Sequence, residues 1–290
     1  MARFASLIAA LAVLGPFPLQ GQSQSMPERS DVVYATVDGK DLLLDLYMPQ
    51  GVERPPLVVW VHGGMWRVGS KRQVPTFFVE NGFATASLDF RQTTEAPFPA
   101  AVQDIKAAIR FLRGHAREYG YSTDKIAIAG ASSGAHYAQL LGVTAGDPAL
   151  EGRLGDHLDE SSRVDAIVSY YGASNLTTIL AQSTPFGLGI REPALELLLG
   201  ALPDHATELA ELASPVFHVD RGDPPLLLFH GDQDPQMPIN QSHEIEGAHE
   251  RMGLDVAFHV LHGSVHGGDE FYDGANASAA VAFLRRTIGR

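Results

Sequence analysis

Residues 126–134 read IAIAGASSG, and a helical pattern follows them up to residue 143. The four apolar residues at the start are typical of a short strand that is covered on both faces of a sheet. Ser132 has a glycine two positions before it and another two positions after it, which the rival Ser133 lacks. At a sharp strand-to-helix turn only residues of that size avoid a clash, and the turn projects the hydroxyl from the sheet edge. The pattern predicts a nucleophile at Ser132; the competing interpretation is an ordinary Gly/Ser loop.

The same alternation of apolar runs and helical patterns extends to both ends of the chain. It implies β-α-β units and a mostly parallel sheet with helices on both faces. Residues 173–222 lack a clean period apart from a helical pattern at 195–202, and we expect an insertion over one edge of the core. Further strands are predicted at 32–37, 42–48, 57–61, 83–88, 166–171, 226–229 and 256–261, and helices at 100–118, 133–143, 241–252 and 277–288.

The composition excludes several classes of function. The chain has 290 residues, 45% of them apolar, with 21 basic against 34 acidic side chains and a net charge of −13. This charge argues against a nucleic-acid partner, because phosphate binding needs clustered lysine and arginine. The chain has no cysteine, which excludes disulfides, thiolate metal ligands and a cysteine nucleophile.

The first 25 residues have the order of a secretory signal peptide. A short basic start, Met1 to Arg3, precedes an apolar run at residues 4–15 and a small, polar segment up to residue 25. The run is too short to span a membrane, so we expect no stable membrane anchor there. Export to a secreted or periplasmic location is predicted, and a partly apolar N-terminal arm is the alternative. No A-x-A stands in the polar segment, where Gly21, Ser23 and Ser25 are the candidate residues before the cleavage site. Residues 26–290 are then one domain with a lid at about 173–222.

A glycine-rich loop follows the strand that ends at Val61. It reads HGGMW at residues 62–66, and glycines there let backbone N–H groups turn towards a substrate. We expect His62 to brace this loop, and Trp66 either lines the substrate pocket or belongs to the core. Four backbone N–H groups are predicted to bind an oxyanion, those of Gly63, Gly64, Met65 and Ser133.

A serine nucleophile needs a base and an orienting carboxylate, in the chain order Ser, Asp, His for this architecture. Two aspartates follow the strand at 226–229, and Asp234 reaches further across to a histidine loop than Asp232, which caps its turn. Two histidines follow the strand at 256–261, and His266 lies in the centre of the glycine-rich loop whereas His262 is nearer the strand end. The sequence therefore predicts a catalytic set of Ser132, Asp234 and His266, all after strand ends.

These motifs together resemble the α/β-hydrolases, and most of all the bacterial feruloyl-esterase-like carboxylesterases related to the hormone-sensitive-lipase group. The resemblance implies an α/β-hydrolase fold with a mostly parallel eight-stranded sheet, helices on both faces and a small lid. Met65 stands where many members have a third glycine, and His136 follows Ser133-Gly134-Ala135 where many have Ala-Gly-Gly-His. The matching segments are residues 62–66, 95–100, 104–112, 130–136, 214–216, 230–234 and 263–267.

The resulting hypothesis is a secreted serine carboxylesterase that hydrolyses short-chain, acetyl-sugar or feruloyl-type esters through an acyl-enzyme. Trp66 and Phe186 are candidates for the substrate pocket. A small-molecule or carbohydrate-linked ester is the expected partner, without metal or organic cofactor, and the oligomeric state is open. The alternatives are an amidase, arylformamidase or peptidase with the same triad, because HGGxW is similar to the motif of kynurenine formamidases, and a hydrolase-fold binding protein that has lost catalysis.

Overall fold

The computed structural model describes residues 26–289, so the predicted signal peptide lies outside the described residues. An eight-stranded sheet has the order β1-β2-β4-β3-β5-β6-β7-β8. The pairs β1–β2 and β2–β4 are antiparallel and the other five pairs are parallel. The strands are β1 Arg29–Val37, β2 Lys40–Tyr47, β3 Pro56–Val61, β4 Ala84–Leu88, β5 Ser122–Ala131, β6 Ala166–Tyr170, β7 Leu226–Gly231 and β8 Val256–Leu261.

Helices connect the parallel strands and cover both faces of the sheet. Within residues 26–289, none of them has both the length and the apolar character that a membrane span requires. Short 3₁₀ turns occupy Pro203–His205, Pro215–Phe217 and Asp269–Phe271. The α-helices are α1 Phe77–Glu80, α2 Ala100–Gly114, α3 Ala116–Tyr119, α4 Ser133–Val143, α5 Pro148–Glu151, α6 Ile179–Gln182, α7 Pro185–Leu199, α8 Thr207–Leu212, α9 Asn240–Met252 and α10 Gly274–Thr287.

The continuous apolar runs of the central strands divide between two cores. In β3, Leu57, Val59 and Val61 belong to the core beneath α2, α4 and α9. Val58 and Trp60 belong to the core on the opposite face, beneath α1 and α10. Because successive side chains of a strand point to opposite faces, a strand covered on both sides has no polar alternation. The predicted mostly parallel sheet with helices on both faces is confirmed.

Two predicted helices differ from the observed ones. The helix expected over 100–118 is broken at His115, where the ring Nδ1 and the backbone N–H both use the Phe111 carbonyl. The helix expected at 195–202 is α7, which begins ten residues earlier and contains Pro193. It ends before Gly200, whose φ of +80° lies in the left-handed region that glycine adopts at helix ends. Pro193 has no N–H for the Gly189 carbonyl, so α7 lacks one intrahelical hydrogen bond there, and the buried side chains of Ala194, Leu195 and Leu198 hold the helix in place.

The segment between β6 and β7 carries α6, α7 and α8. We call residues 173–222 the lid. Its inner face is apolar, with Leu195, Leu198 and Ala210 fully buried in the core beneath α4. The inner face of the lid therefore packs as part of the protein interior.

Candidate active site

The turn between β5 and α4 holds Ser132 in a strained conformation. Its φ is +54° and its ψ is −121°, a region that side chains rarely adopt and that costs on the order of 1–3 kcal/mol. A Cβ on Gly130 would lie 2.4 Å from the Gly134 carbonyl oxygen. A Cβ on Gly134 would lie 2.1 Å from the Val61 carbonyl oxygen. Both flanking glycines are therefore required by direct backbone contact.

Replacement of Gly134 by alanine is expected to destabilise the protein by about 3 kcal/mol or more, because its Cβ meets backbone that cannot move aside. Urea unfolding measures the loss. The matched control is Gly189→Ala, since a Cβ at that position of α7 meets nothing within 4 Å. There, alanine should stabilise by about 0.4–1 kcal/mol through helix propensity. Equal stabilities of the two variants would contradict the packing argument.

Ser132, His266 and Asp234 meet at the carboxyl ends of β5, β8 and β7. His266 Nε2 lies 2.9 Å from Ser132 Oγ, and His266 Nδ1 lies 2.6 Å from Asp234 Oδ2. A carboxylate accepts hydrogen bonds only, so Nδ1 carries the proton and the Nε2 lone pair faces the serine hydroxyl. The three residues that the sequence predicts as a set are thus in hydrogen-bond contact, in the order that general-base activation of a serine needs.

The Asp234 carboxylate is buried and receives several donors. Its Oδ1 accepts the backbone N–H groups of Gln236 at 2.8 Å and Met237 at 2.9 Å. Its Oδ2 lies 3.3 Å from His230 Nε2 in addition to His266. Burial opposes the charge, but the hydrogen bonds from His230 and His266 outweigh it and hold the pKa of Asp234 well below its usual range. The carboxylate therefore stays ionised beside the base.

The rival pair Asp232 and His262 forms a separate contact. His262 Nδ1 lies 2.8 Å from Asp232 Oδ2, and the Gly263 N–H donates to Asp232 Oδ1 at 2.8 Å. The His262 side chain is 84% exposed and no nucleophile contacts it among the described residues. Asp232 therefore caps the turn after β8 rather than its own turn, and the pair ties two loops together.

Two supporting side chains were not predicted. His230 donates Nε2–H to the Met237 carbonyl at 3.0 Å and lies beside Asp234. The Tyr171 ring packs edge-on against the His266 ring with centroids 4.7 Å apart, and its hydroxyl lies 2.6 Å from that of Tyr272. A signal for His230 exists, because it precedes Asp234 by four residues in HGDQD; Tyr171 has no comparable local pattern.

The loop after β3 lies directly against the nucleophile. A Cβ on Gly63 would lie 3.2 Å from Ser132 Cβ. His62 is buried, stacks on Phe90 at 4.5 Å and donates Nδ1–H to the Gly63 carbonyl at 2.7 Å. His62 therefore braces the loop, as expected, and burial lowers its pKa.

The backbone of this loop orients its N–H groups. Gly64, Met65 and Trp66 have φ values of +132°, +56° and +62°. The Gly64 carbonyl accepts the N–H groups of Arg67 and Val68. The Met65 N–H belongs to the same trans peptide as this carbonyl, so it points in the opposite direction. The Ser132 carbonyl accepts the His136 N–H inside α4, so the Ser133 N–H points out of the helix N-terminus, where it is suited to an anion.

Trp66 does not line an open pocket, and that prediction is wrong. Its side chain is 1% exposed, and its Nε1–H donates to His136 Nδ1 at 3.0 Å. His136 in turn donates Nε2–H to the Ala213 carbonyl at 2.7 Å. Trp66 is a core residue because these partners, from α4 and the lid, fix it beneath the oxyanion loop.

His136 gives the protein an acid-sensitive point. Burial lowers its pKa to about 4 from an ordinary value of 6.5, against the hydrogen bond to Ala213 that raises it. The unfolded chain therefore takes up a proton below about pH 6.5 while the folded protein does not, so stability is complete above that pH and falls as the pH approaches 4.

We expect this group alone to remove about 3 kcal/mol of unfolding free energy between pH 7 and pH 4. His136→Asn keeps an acceptor for the Trp66 N–H but does not titrate. Urea unfolding of both proteins across this range measures the difference, which should shrink towards pH 4. A constant difference between wild type and variant would contradict the assignment.

Phe186 lies in the first turn of the lid helix α7 and is 51% exposed. The next residue, Gly187, packs on the loop after β7, where its Cβ position lies 3.0 Å from the Pro235 carbonyl oxygen. Phe186 thus stands on the lid segment that borders the Asp234 loop, and its part in substrate binding stays a prediction.

A strained serine at a strand-to-helix turn, a buried Asp–His pair and a glycine-rich loop beside them define a serine hydrolase of the α/β-hydrolase fold. The BD-FAE family matches residues 44–248. The chain belongs to this family, and the predicted membership in the feruloyl-esterase-like carboxylesterases is confirmed.

Sequence relatives and solved structures agree on this class. Esterase LipC of Mycobacterium tuberculosis is 30% identical over 89% of this chain and 65% of its own length. The truncated form of a carbohydrate esterase from gut microbiota has a TM-score of 0.82 and 27% identity, covering 93% of this chain and 99% of that one. The thermophilic esterase Est2 of Thermogutta terrifontis has a TM-score of 0.73 and 27% identity, and the match covers 91% of this chain and 93% of Est2. The chain spans less than two thirds of the length of the curated relatives it matches.

Proposed function

We propose that this protein is a serine carboxylesterase that works through an acyl-enzyme. The observation that carries the proposal is the hydrogen-bonded row from Asp234 through His266 to Ser132, next to the loop at Gly63–Met65. Such a row deprotonates a serine at neutral pH, and backbone N–H groups beside it stabilise the negative charge that develops on the substrate.

In the acylation step, Ser132 Oγ attacks the ester carbonyl carbon and its proton passes to His266 Nε2. The carbonyl oxygen becomes an oxyanion, for which Gly63, Gly64, Met65 and Ser133 are the candidate N–H donors. Asp234 stabilises the imidazolium and holds its orientation. When the tetrahedral adduct collapses, the ester C–O bond breaks and His266 gives its proton to the leaving alcohol.

In the deacylation step, water takes the place of the alcohol. His266 Nε2 accepts a proton from this water as its oxygen attacks the acyl carbon. The second adduct breaks the bond to Ser132 Oγ, and the serine recovers the proton from His266. The carboxylic acid leaves, so one ester and one water give one alcohol and one acid.

Short-chain and acetyl esters, including carbohydrate-linked ones, are the proposed substrates. Two findings support this class. Est2 has been solved with propionate and with butyrate bound, and the carbohydrate esterase from gut microbiota is similar to this chain over 93% of the residues of this chain. A panel of C2–C12 nitrophenyl esters, acetyl-xylan, methyl ferulate and an aryl amide tests the proposal. We expect the highest kcat/KM on C2–C4 acyl groups. Faster turnover of the aryl amide would favour the amidase alternative, and faster turnover of methyl ferulate a feruloyl esterase.

Export is the second part of the proposal. The basic start, the apolar run and the small polar segment of residues 1–25 support it. Expression of the full chain in a bacterium with a periplasm should release a mature protein that begins at residue 22, 24 or 26, as measured by mass spectrometry of the fractions. Leu11→Arg should block processing, whereas Leu11→Ile should not. Retention of Met1 in the cytoplasmic fraction would contradict export.

A further inference from the structure

Arg191 is a buried cation on the lid helix α7. Its residue exposure is 2%, and its Nη2 donates to the Gln236 carbonyl at 2.5 Å. Its guanidinium carbon lies 5.6 Å from the centre of the Trp66 ring. Its Nε has no hydrogen-bond partner within residues 26–289. A buried arginine with so few partners is costly for folding, and an apolar side chain of similar size is often as stable in such a place.

The Gln236 peptide links Arg191 to the catalytic acid. We call residues 232–238 the acid loop. The Gln236 N–H donates to Asp234 Oδ1, and the Gln236 carbonyl accepts from Arg191, so the residue is held from both sides. Thr184, at the start of α7, donates its hydroxyl to the Pro235 carbonyl at 2.9 Å. The lid helix therefore supplies donors to two successive carbonyls of the loop that carries Asp234.

Arg191 also contacts the oxyanion loop, residues 62–68, through Trp66. Trp66, the residue under the guanidinium, is in turn fixed by His136. Arg191 thus lies between the two loops that flank Ser132, one carrying the acid and the other the oxyanion N–H groups. Burial lowers the pKa of Arg191 to about 10, while the charge of Asp234 opposes that change, so the side chain is a cation at neutral pH.

We propose that Arg191 is a positioning residue that holds the acid loop against the lid and thereby keeps the Asp234 carboxylate aligned with His266. This role rests on the proposed esterase mechanism, in which Asp234 orients the base. It makes the lid part of the support of the triad.

The charge of Arg191 distinguishes this role from simple packing. The charge of Arg191 attracts the carboxylate of Asp234, so removal of this cation changes the electrostatic field at the triad. Burial raises the pKa of Tyr171 and of Tyr272, so both side chains are neutral beside the triad. The titratable and charged groups around the pair are His230 on β7, Arg191 on α7, Tyr171 after β6, Glu270 and Tyr272 before α10, and the exposed Asp232 and His262.

The test compares Arg191→Met with Arg191→Lys on a short nitrophenyl ester. Methionine removes both the donor and the charge, and we expect kcat to fall by about 10²-fold with KM changed by less than about 3-fold. The acid limb of kcat/KM should move to higher pH, because a cation is removed from the neighbourhood of the base. Lysine keeps the charge, so it should leave the acid limb at the wild-type pH and lose less of kcat.

Arg110→Met is the matched control, because Arg110 is equally buried but binds Glu151 of α5, a helix that packs against α2. It should lower the Tm and leave kcat and the acid limb at wild-type values. The rate of Ser132 labelling by a fluorophosphonate reports the same alignment without an ester substrate. Should Arg191→Met fail to fold, Arg191→Lys and Thr184→Val carry the test, each with a lower kcat.

The proposal is overturned if folded Arg191→Met keeps the kcat, the acid limb and the labelling rate of the wild type. It is also overturned if Arg110→Met changes these three quantities as much as Arg191→Met does. The proposed function fails separately, by a different result. A wild-type protein that labels at Ser132 but hydrolyses no ester in the panel contradicts the esterase, and the labelling rates of the variants still decide the role of Arg191.

Discussion

Replacement of Ser132 by alanine is expected to lower kcat on a short nitrophenyl ester by on the order of 10⁴- to 10⁶-fold, with folding retained. Ser132 Oγ is the atom that forms the acyl bond, and within residues 26–289 no other oxygen lies in hydrogen-bond contact with His266 Nε2. Activity that remains comes from the N–H groups and from substrate binding, which still act on a water molecule. Loss of one hydrogen bond to His266 changes stability by only about 1 kcal/mol.

Steady-state kinetics and labelling with a fluorophosphonate measure this effect. Est2, one of the structural neighbours, is phosphonylated by sarin, so a phosphonyl adduct is a suitable probe of the class. The wild-type protein should gain one adduct at Ser132 and the alanine variant none. Ser133→Ala tests the rival serine and should lose less than about 10-fold, because only its backbone N–H is invoked. Full activity of Ser132→Ala would refute the nucleophile assignment and the binding-protein alternative at once.

The sheet and the catalytic set were predictable because local patterns carry them. A strand covered on both faces shows as an unbroken apolar run, and each catalytic residue follows such a run by a few positions. Parallel strands bring those ends to one edge, so residues 134 positions apart, Ser132 and His266, meet in space. The choice of Asp234 over Asp232 followed from reach across the edge, and the contacts agree with it.

The support of the site was not predictable from local pattern. Trp66 is buried because His136, 70 positions later, accepts its N–H and Arg191 lies near its ring. The local sequence HGGMW is the same whether its tryptophan lines a pocket or lies beneath the loop. The start of α7 was missed for a related reason: Pro193 is a breaker by propensity, and the helix continues through it because Leu195 and Leu198 pack into the core.

The catalytic acid offers the second large effect, because Asp234→Asn should lower kcat by about 10⁴-fold. All partners of the Asp234 carboxylate are hydrogen-bond donors. Two backbone N–H groups donate to Oδ1, and the ring N–H groups of His266 and His230 face Oδ2. An asparagine oxygen satisfies only one of these sides. If it accepts the backbone N–H groups, its NH₂ faces His266 and forces Nδ1 to become the acceptor. The proton then moves to Nε2, which donates to Ser132 and no longer accepts the serine proton.

Asp232→Asn is the matched control, since it makes the same chemical change two residues earlier in the acid loop. Its partners are the exposed His262, the Gly263 N–H and the Gln233 side chain, none of which contacts Ser132. An exposed ion pair contributes little, so we expect kcat to fall by less than about 10-fold. Kinetics, the Tm and fluorophosphonate labelling of both variants measure the contrast. A larger loss in Asp232→Asn would transfer the role of the acid to Asp232, and equal losses would mean that the acid loop acts through its shape rather than through the carboxylate that faces His266.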